Sequence, residues 1–179
     1  MNTVYTTVYH SPVGELILGS FNDMLCLCDW RYRKMRAAID KRICIGLDAV
    51  YVEKETPETI AARKQLDDYF AGSRKDFDIQ VLTVGTDFQK YVWEELQQVP
   101  YGKTETYAGL AKRLGNDSAV RAVASANGAN AISIIVPCHR IIGSDGELTG
   151  YAGGLPAKKK LLLLEGSYTI GHVPFVKGE

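Results

Sequence analysis

Near Thr83-Val84-Gly85 the hydrophobic pattern of this chain changes period, and the two sides of that point ask for different architectures. Before it, alternating stretches dominate. Val4 to Tyr9 is rich in β-branched and aromatic residues, Ser11-Pro12-Val13-Gly14 is a turn, and Glu15 to Leu18 resumes the alternation. Asn22-Asp23 turns the chain again into Met24-Leu25-Cys26-Leu27-Cys28. Strand side chains alternate faces, so residues 4–30 are predicted to form a β-meander. A helix is predicted from about Lys34 to Lys41. Another opens at Thr56, a capping residue with Pro57 in the first helical position. Ile60, Ala61, Leu66, Tyr69 and Phe70 keep its helical spacing, and Gly72 stops it. Asp76 to Leu82 alternates and is predicted to be a strand.

Beyond Gly85 the pattern is mainly helical. Thr86-Asp87-Phe88-Gln89 reads as a capping box, and Phe88, Val92, Leu96 and Val99 fall on one face of the helix it starts. Pro100-Tyr101-Gly102 ends that helix. Thr104 to Leu114 is a short amphipathic helix, broken by Gly115-Asn116-Asp117. Asp117 or Ser118 would cap a second short helix through Arg121 to about Asn127. Two short helices joined by a glycine-containing turn match the helix-turn-helix pattern. Ala119, Ala122, Ala124 and Ala126 make the second helix small-sided, which suits close approach to a partner or tight packing of the pair. Pro156 opens a last helix, with Lys158-Lys159-Lys160 read as a solvated face, Leu161 to Leu164 as core and Gly166 as the stop. The expected domains are therefore residues 1–83 and 84–179.

Composition narrows the classes of function. An apolar fraction of 46% supports a real core, and no apolar run is long enough to span a membrane. The N-terminus lacks a basic region followed by an apolar one, so a cytoplasmic protein is expected. The net charge is zero, with 11 basic and 12 acidic residues before position 84 and 10 and 9 after it. Non-specific nucleic-acid binders carry a basic excess, so any DNA contact here must be local. Four cysteines do not make a disulfide scaffold. Cys26 and Cys28 would share one strand face as core thiols. A metal site is the alternative, but there is no Cys-x-x-Cys pair, and His10, His139 and His172 are scattered.

Chemistry concentrates in Ile135-Val136-Pro137-Cys138-His139-Arg140. An apolar, β-branched run delivers a thiol directly beside an imidazole. A thiolate is a strong nucleophile, and a nearby histidine is the usual means of forming one.

This motif resembles the acceptor site of the O6-alkylguanine-DNA alkyltransferases, a family of direct-reversal DNA repair proteins. The likeness spans the chain and is strongest from Thr86 to Gly166. The motif stands in register with Tyr107 and Arg121 upstream, Asn130 just before it, the loop Gly150-Tyr151-Ala152-Gly153-Gly154 after it, and Glu165 at the end. The resemblance implies an N-terminal RNase H-like α/β domain and a C-terminal winged-helix-like domain carrying the helix-turn-helix. It implies a monomer that meets no membrane and binds double-stranded DNA containing O6-alkylguanine through the minor groove. Ala119, Ala122 and Ala126 would face that groove, and Arg121 would fill the gap left by a flipped nucleotide.

Carried over position by position, Cys138 would take the alkyl group, with O4-alkylthymine as a further substrate. His139 would act as base through a water, oriented by Glu165. Tyr107 would press on the target phosphate and donate to guanine N3. Asn130 would hold the turn between the recognition helix and the active-site strand. Val136, Ile141, Tyr151, Ala152 and Gly153 would line the base pocket, with the loop N–H near Ala152 donating to O6. Some relatives have Ser at position 152; Ala keeps the N–H and loses the hydroxyl. The thioether product cannot be hydrolysed, so the protein would be consumed once per lesion. No cofactor is implied. Some relatives bind zinc in the first domain, but no matching ligand set stands here.

Three other readings compete. A non-enzymatic alkylguanine-binding damage sensor shares the fold but replaces the cysteine. A winged-helix regulator sensing through Cys138 predicts a basic recognition helix, yet Ser118 to Asn127 holds only Arg121. A hydrolase built on Cys138, His139 and Glu165 leaves Arg121 unexplained.

Overall fold

The computed structural model describes residues 1–168. His172 and the end of the expected second domain, residues 169–179, lie outside the described residues. Two compact units emerge, one of Met1–Thr86 with Ala131–Ile135, the other of Asp87–Asn130 with the described residues from Val136 on. The short segment 131–135, which the expected boundary assigns to the second domain, thus packs with the first unit.

In the first unit, β1 (Asn2–Ser11), β2 (Gly14–Phe21) and β3 (Met24–Trp30) form the antiparallel meander. Asn22 and Asp23 turn β2 into β3 with φ of 47° and 61°, the left-handed pair that matches strand twist in a two-residue hairpin. Helix α1 (Arg36–Gly46) then crosses to β4 (Ala49–Glu53), which lies parallel to β1 in the order β3-β2-β1-β4. The sequence reading missed β4. At five residues it is short, and its exposed Val50 and Val52 break the alternation expected of a half-buried strand. The predicted strand over Asp76–Leu82 does not form. Only Val81 bridges to Leu25, with the Leu25 N–H donating to Gln80 O and the Leu82 N–H donating to Leu25 O, both at 2.9 Å.

Helix α2 (Pro57–Phe70) starts at Thr56 as predicted, through a capping box closed by Thr59. That reciprocal bond makes Thr59 apolar enough in effect to be buried. The buried stripe is accordingly Thr59, Ala62, Leu66 and Tyr69, while Ile60 is exposed. Val4, Cys26, Leu27, Ile39 and Ile43 fill the core of this unit. Burial pushes the Cys26 thiol up to about 12 and raises that of Cys28, so both are inert core thiols.

In the second unit, α3 (Asp87–Leu96), α4 (Tyr107–Arg113), α5 (Val120–Gly128) and α6 (Leu155–Leu164) accompany a two-stranded parallel sheet of β5 (Glu105–Thr106) and β6 (Ile141–Ile142). The helix predicted from Thr104 starts three residues later, because Glu105 and Thr106 pair with β6 and the Thr106 hydroxyl then caps α4 by accepting from the Gly109 N–H at 2.9 Å. Neither Asp117 nor Ser118 caps α5. The Asn116 carboxamide instead accepts from the Ser118 N–H and hydroxyl, and Ala119 occupies the cap position. Trp93 on α3 is buried and donates to Ala126 O at 2.8 Å, locking α3 to α5. No helix among the described residues is long and apolar enough to cross a membrane.

Candidate functional site

The run before the thiol is not the strand expected of it. Ile132 makes a single bridge to Cys28, and Ile134 turns the chain with φ of 72°, a conformation that a β-branched residue rarely adopts. Pro137 then leads into a 3-10 turn, Cys138–Arg140. Two amides fix the backbone of that turn. Asn130 Nδ2 donates to Val136 O at 2.9 Å, and Asn127 Nδ2 reaches Cys138 O at 3.5 Å. Asn130 therefore does hold the link after α5, but the link runs into a turn. Cys138 is 3% exposed, and Val136 and Ile141 are buried on either side.

His139 is wholly buried, with Nε2 2.7 Å from Glu165 Oε1. Arg140 clamps the same carboxylate, Nε to Oε2 at 2.9 Å and Nη2 to Oε1 at 3.0 Å, and sends Nη1 to Val99 O at 2.7 Å. Burial alone would raise the Glu165 carboxyl, yet His139 and Arg140 hold it at about 2. An ionised carboxylate only accepts, so His139 carries its proton on Nε2. Its Nδ1 is then a buried lone pair with no partner among the described residues. Burial also lowers the imidazole pKa, which keeps the ring neutral at pH 7. A neutral imidazole, oriented by a fixed anion and keeping its other nitrogen available, is a base of the kind that can accept a thiol proton.

Tyr107 opens α4 and sends its hydroxyl to Thr149 O at 3.2 Å; burial raises its pKa. Tyr151, Ala152 and Gly153 are half-buried in the loop that follows, with the Tyr151 ring edge-on to His139 at 6.5 Å between centroids. On α5 the predicted residues separate. Arg121 is exposed and its side chain makes no ion pair or hydrogen bond among the described residues. Ala122 is exposed and Ala119 half-buried beside it. Ala126 is 2% exposed and belongs to the face packed on Trp93, which corrects its assignment to the DNA-facing surface.

Comparison with known proteins decides the family. A model described as the ribonuclease-like domain of 6-O-methylguanine DNA methyltransferase matches residues 4–83, and one described as the DNA binding domain of the same protein matches residues 87–167. The chain belongs to the 6-O-methylguanine DNA methyltransferase family. The expected fold class, a ribonuclease-like α/β domain followed by a DNA-binding domain, is that of the family. The methylated-DNA–protein-cysteine methyltransferase of Methanosarcina acetivorans is 44% identical over 164 residues, covering 92% of this chain and 99% of that one. Its counterpart from Mycolicibacterium paratuberculosis is 51% identical over 165 residues, covering 90% and 91%. The crystal structure of Mycobacterium tuberculosis OGT in complex with DNA superposes with a TM-score of 0.76 at 38% identity, covering 92% of this chain and 93% of that chain.

Three residues of this methyltransferase site escaped the sequence reading. Arg140 stood inside the motif but was given no role. Asn127 was taken only as the end of a helix. Lys158 was read as solvated, and the structure corrects this: it is fully buried, and its ammonium donates to the carbonyls of Ile141, Thr149 and Gly150. Helical spacing held the signal, since Lys158, Leu161, Leu162 and Glu165 lie on one stripe of α6.

Proposed function

We propose that this chain repairs DNA by direct reversal, moving the alkyl group from O6 of guanine irreversibly onto the sulfur of Cys138. The observation that carries the reading is the Nδ1 of a neutral, buried His139, without a partner among the described residues, on a ring held by Glu165 at 2.7 Å in the same turn as the thiol. The Cys138 proton passes through a water to that nitrogen. The thiolate attacks the alkyl carbon in line, a C–S bond forms, the C–O6 bond breaks, and its electron pair goes to the guanine. Tyr107 assists departure by donating to N3, and the N–H near Ala152 by donating to O6. Val136, Ile141, Tyr151 and Gly153 bound the base. The thioether has no route back to a thiol in water, so each chain acts once.

The target atom lies inside the base stack, so the nucleotide must be flipped out. The free guanidinium of Arg121 supports a role as the residue that fills the vacated gap, and the small Ala119 and Ala122 beside it suit an approach through the minor groove. In this reading residues 1–83 form the ribonuclease-like domain and 84–179 the alkyl-acceptor domain of a monomer, and O4-alkylthymine is a second substrate. A damage sensor without transfer would need no base beside the thiol. Cys138→Ala tests the choice: it should bind an O6-methylguanine duplex with near-normal affinity and transfer nothing. Persistent methyl transfer by that variant would sink the assignment.

A further inference from the structure

We propose that Lys158 is a positioning residue that holds the Thr149 carbonyl, so that Tyr107 can leave that carbonyl and turn its hydroxyl to the bound base. This rests on the reading that Tyr107 contacts the base. Thr149 O accepts from two donors, the Tyr107 hydroxyl at 3.2 Å and the Lys158 ammonium at 3.2 Å. A phenol has one proton and gives it to one acceptor at a time. With Tyr107 bonded to Thr149 it cannot also donate to a guanine ring nitrogen. Thr149 and this bond are exposed in the free protein, but a bound base would shut water out, and a carbonyl then left without any donor would resist the exchange. Lys158 removes that resistance, because its own bond to Thr149 O remains.

The ammonium is matched to this task. Its three protons meet three carbonyls, those of Ile141, Thr149 and Gly150 at 3.3 Å. These carbonyls stand at the two ends of the excursion from β6 to the loop at Tyr151–Gly153, so one side chain closes the base of that loop. A buried cation is expensive, and an apolar side chain of similar length would fill the same space at less cost. Burial pushes the Lys158 pKa down to about 8, which still leaves most of it charged at neutral pH.

A double-mutant cycle on the full chain tests this, reading single-turnover methyl transfer from an O6-methylguanine duplex to Cys138. Tyr107→Phe and Lys158→Met should each slow transfer by about 100-fold, the scale of one lost transition-state donor. In the Tyr107→Phe background the same Lys158→Met change should cost less than about threefold by the same reasoning. Equal losses in both backgrounds would overturn the proposal and make Lys158 a structural or purely electrostatic group. If Lys158→Met does not fold, Lys158→Gln, whose carboxamide is too short to keep the Thr149 bond, reads the same coupling under the same two criteria. Wild-type methylation is the control: its absence would fail the transfer reading itself, whereas its presence with additive losses fails only the Lys158 proposal.

Discussion

In each unit a carboxylate is buried against arginine, Asp29 against two and Glu165 against one, and the two behave oppositely. In the first unit Asp29 is wholly buried and accepts from Arg33 at 3.1 Å, from Arg36 at 2.9 Å and from the Ser133 hydroxyl at 3.3 Å. Burial dominates there and raises its pKa despite both guanidinium groups. In the second unit Glu165 accepts from Arg140 and His139 and is held at about 2. The side-chain partners of Asp29 are guanidinium groups and a hydroxyl that donate to it, whereas one partner of Glu165 is an imidazole whose second nitrogen has no partner among the described residues. Similar parts thus make a brace in one place and, in the proposed reaction, an acid–base relay in the other, and a histidine is what distinguishes them.

Among changes to the two carboxylates and Arg121, the largest effect should come from Glu165→Gln. It removes the anion that fixes the His139 tautomer, and single-turnover transfer should fall by about 100-fold or more, the contribution of a positioned base. It also leaves Arg140 buried without its counter-charge, costing about 3 kcal/mol in urea unfolding. Transfer at the wild-type rate would remove Glu165 from the mechanism. Arg121→Ala should slow repair of duplex DNA by at least about tenfold, while reaction with free O6-benzylguanine and stability, within about 0.5 kcal/mol, stay put. Equal losses on both substrates would show that Arg121 does not serve flipping.

Asp29→Asn should leave transfer per folded molecule within about twofold of wild type, as expected for a site that shares no partner with the thiol. A large kinetic loss would break the comparison, since Asp29 would then act on the chemistry. Acid unfolding sharpens it further. The Glu165 pKa is depressed, so its stabilisation is complete above its ordinary value of 4.5 and is lost as pH falls toward about 2. The lowered His139 pKa acts in the same direction from about pH 6.5 downward, because only the unfolded chain then takes up the proton. The Asp29 pKa is raised, so its contribution is present below its ordinary value and is lost as pH rises through the folded value. Titrating urea stability from pH 7 to 3 should therefore give a shallower decline for Glu165→Gln than for wild type, and a steeper one for Asp29→Asn.

What was legible in the sequence follows from what local patterns encode. The meander, the Thr56 cap and the break near Gly85 each leave a signature within a few residues. The Pro137 to Arg140 motif with Asn130 and Glu165 pointed to residues that the structure joins by the His139–Glu165 and Asn130–Val136 hydrogen bonds, while the roles proposed for Tyr107 and Arg121 rest on the resemblance. The strand expected before Cys138 was misjudged because an apolar β-branched run looks the same whether it pairs or turns, and nothing local announces the left-handed Ile134. Helix α4 starts late because β6, more than thirty residues on, recruits Glu105 and Thr106 into a sheet. Lys158 was misplaced because a lysine run favours solvent by default, although its place on the Leu161 and Glu165 stripe argued otherwise. Arg140 was invisible as a partner, since its pair with Glu165 joins residues 25 positions apart and leaves no periodic trace; Asp29 pairs only four and seven positions on, with Arg33 and Arg36, but it sits on a strand, where such spacing carries no helical signal.

The most direct test is intact-protein and peptide mass spectrometry after mixing the protein with duplex DNA containing O6-methylguanine. A gain of one methyl on the peptide carrying Cys138 is expected, saturating at one per chain, with the DNA restored to guanine. Binding to the lesion without any change in mass, or a methyl on another residue, would contradict it.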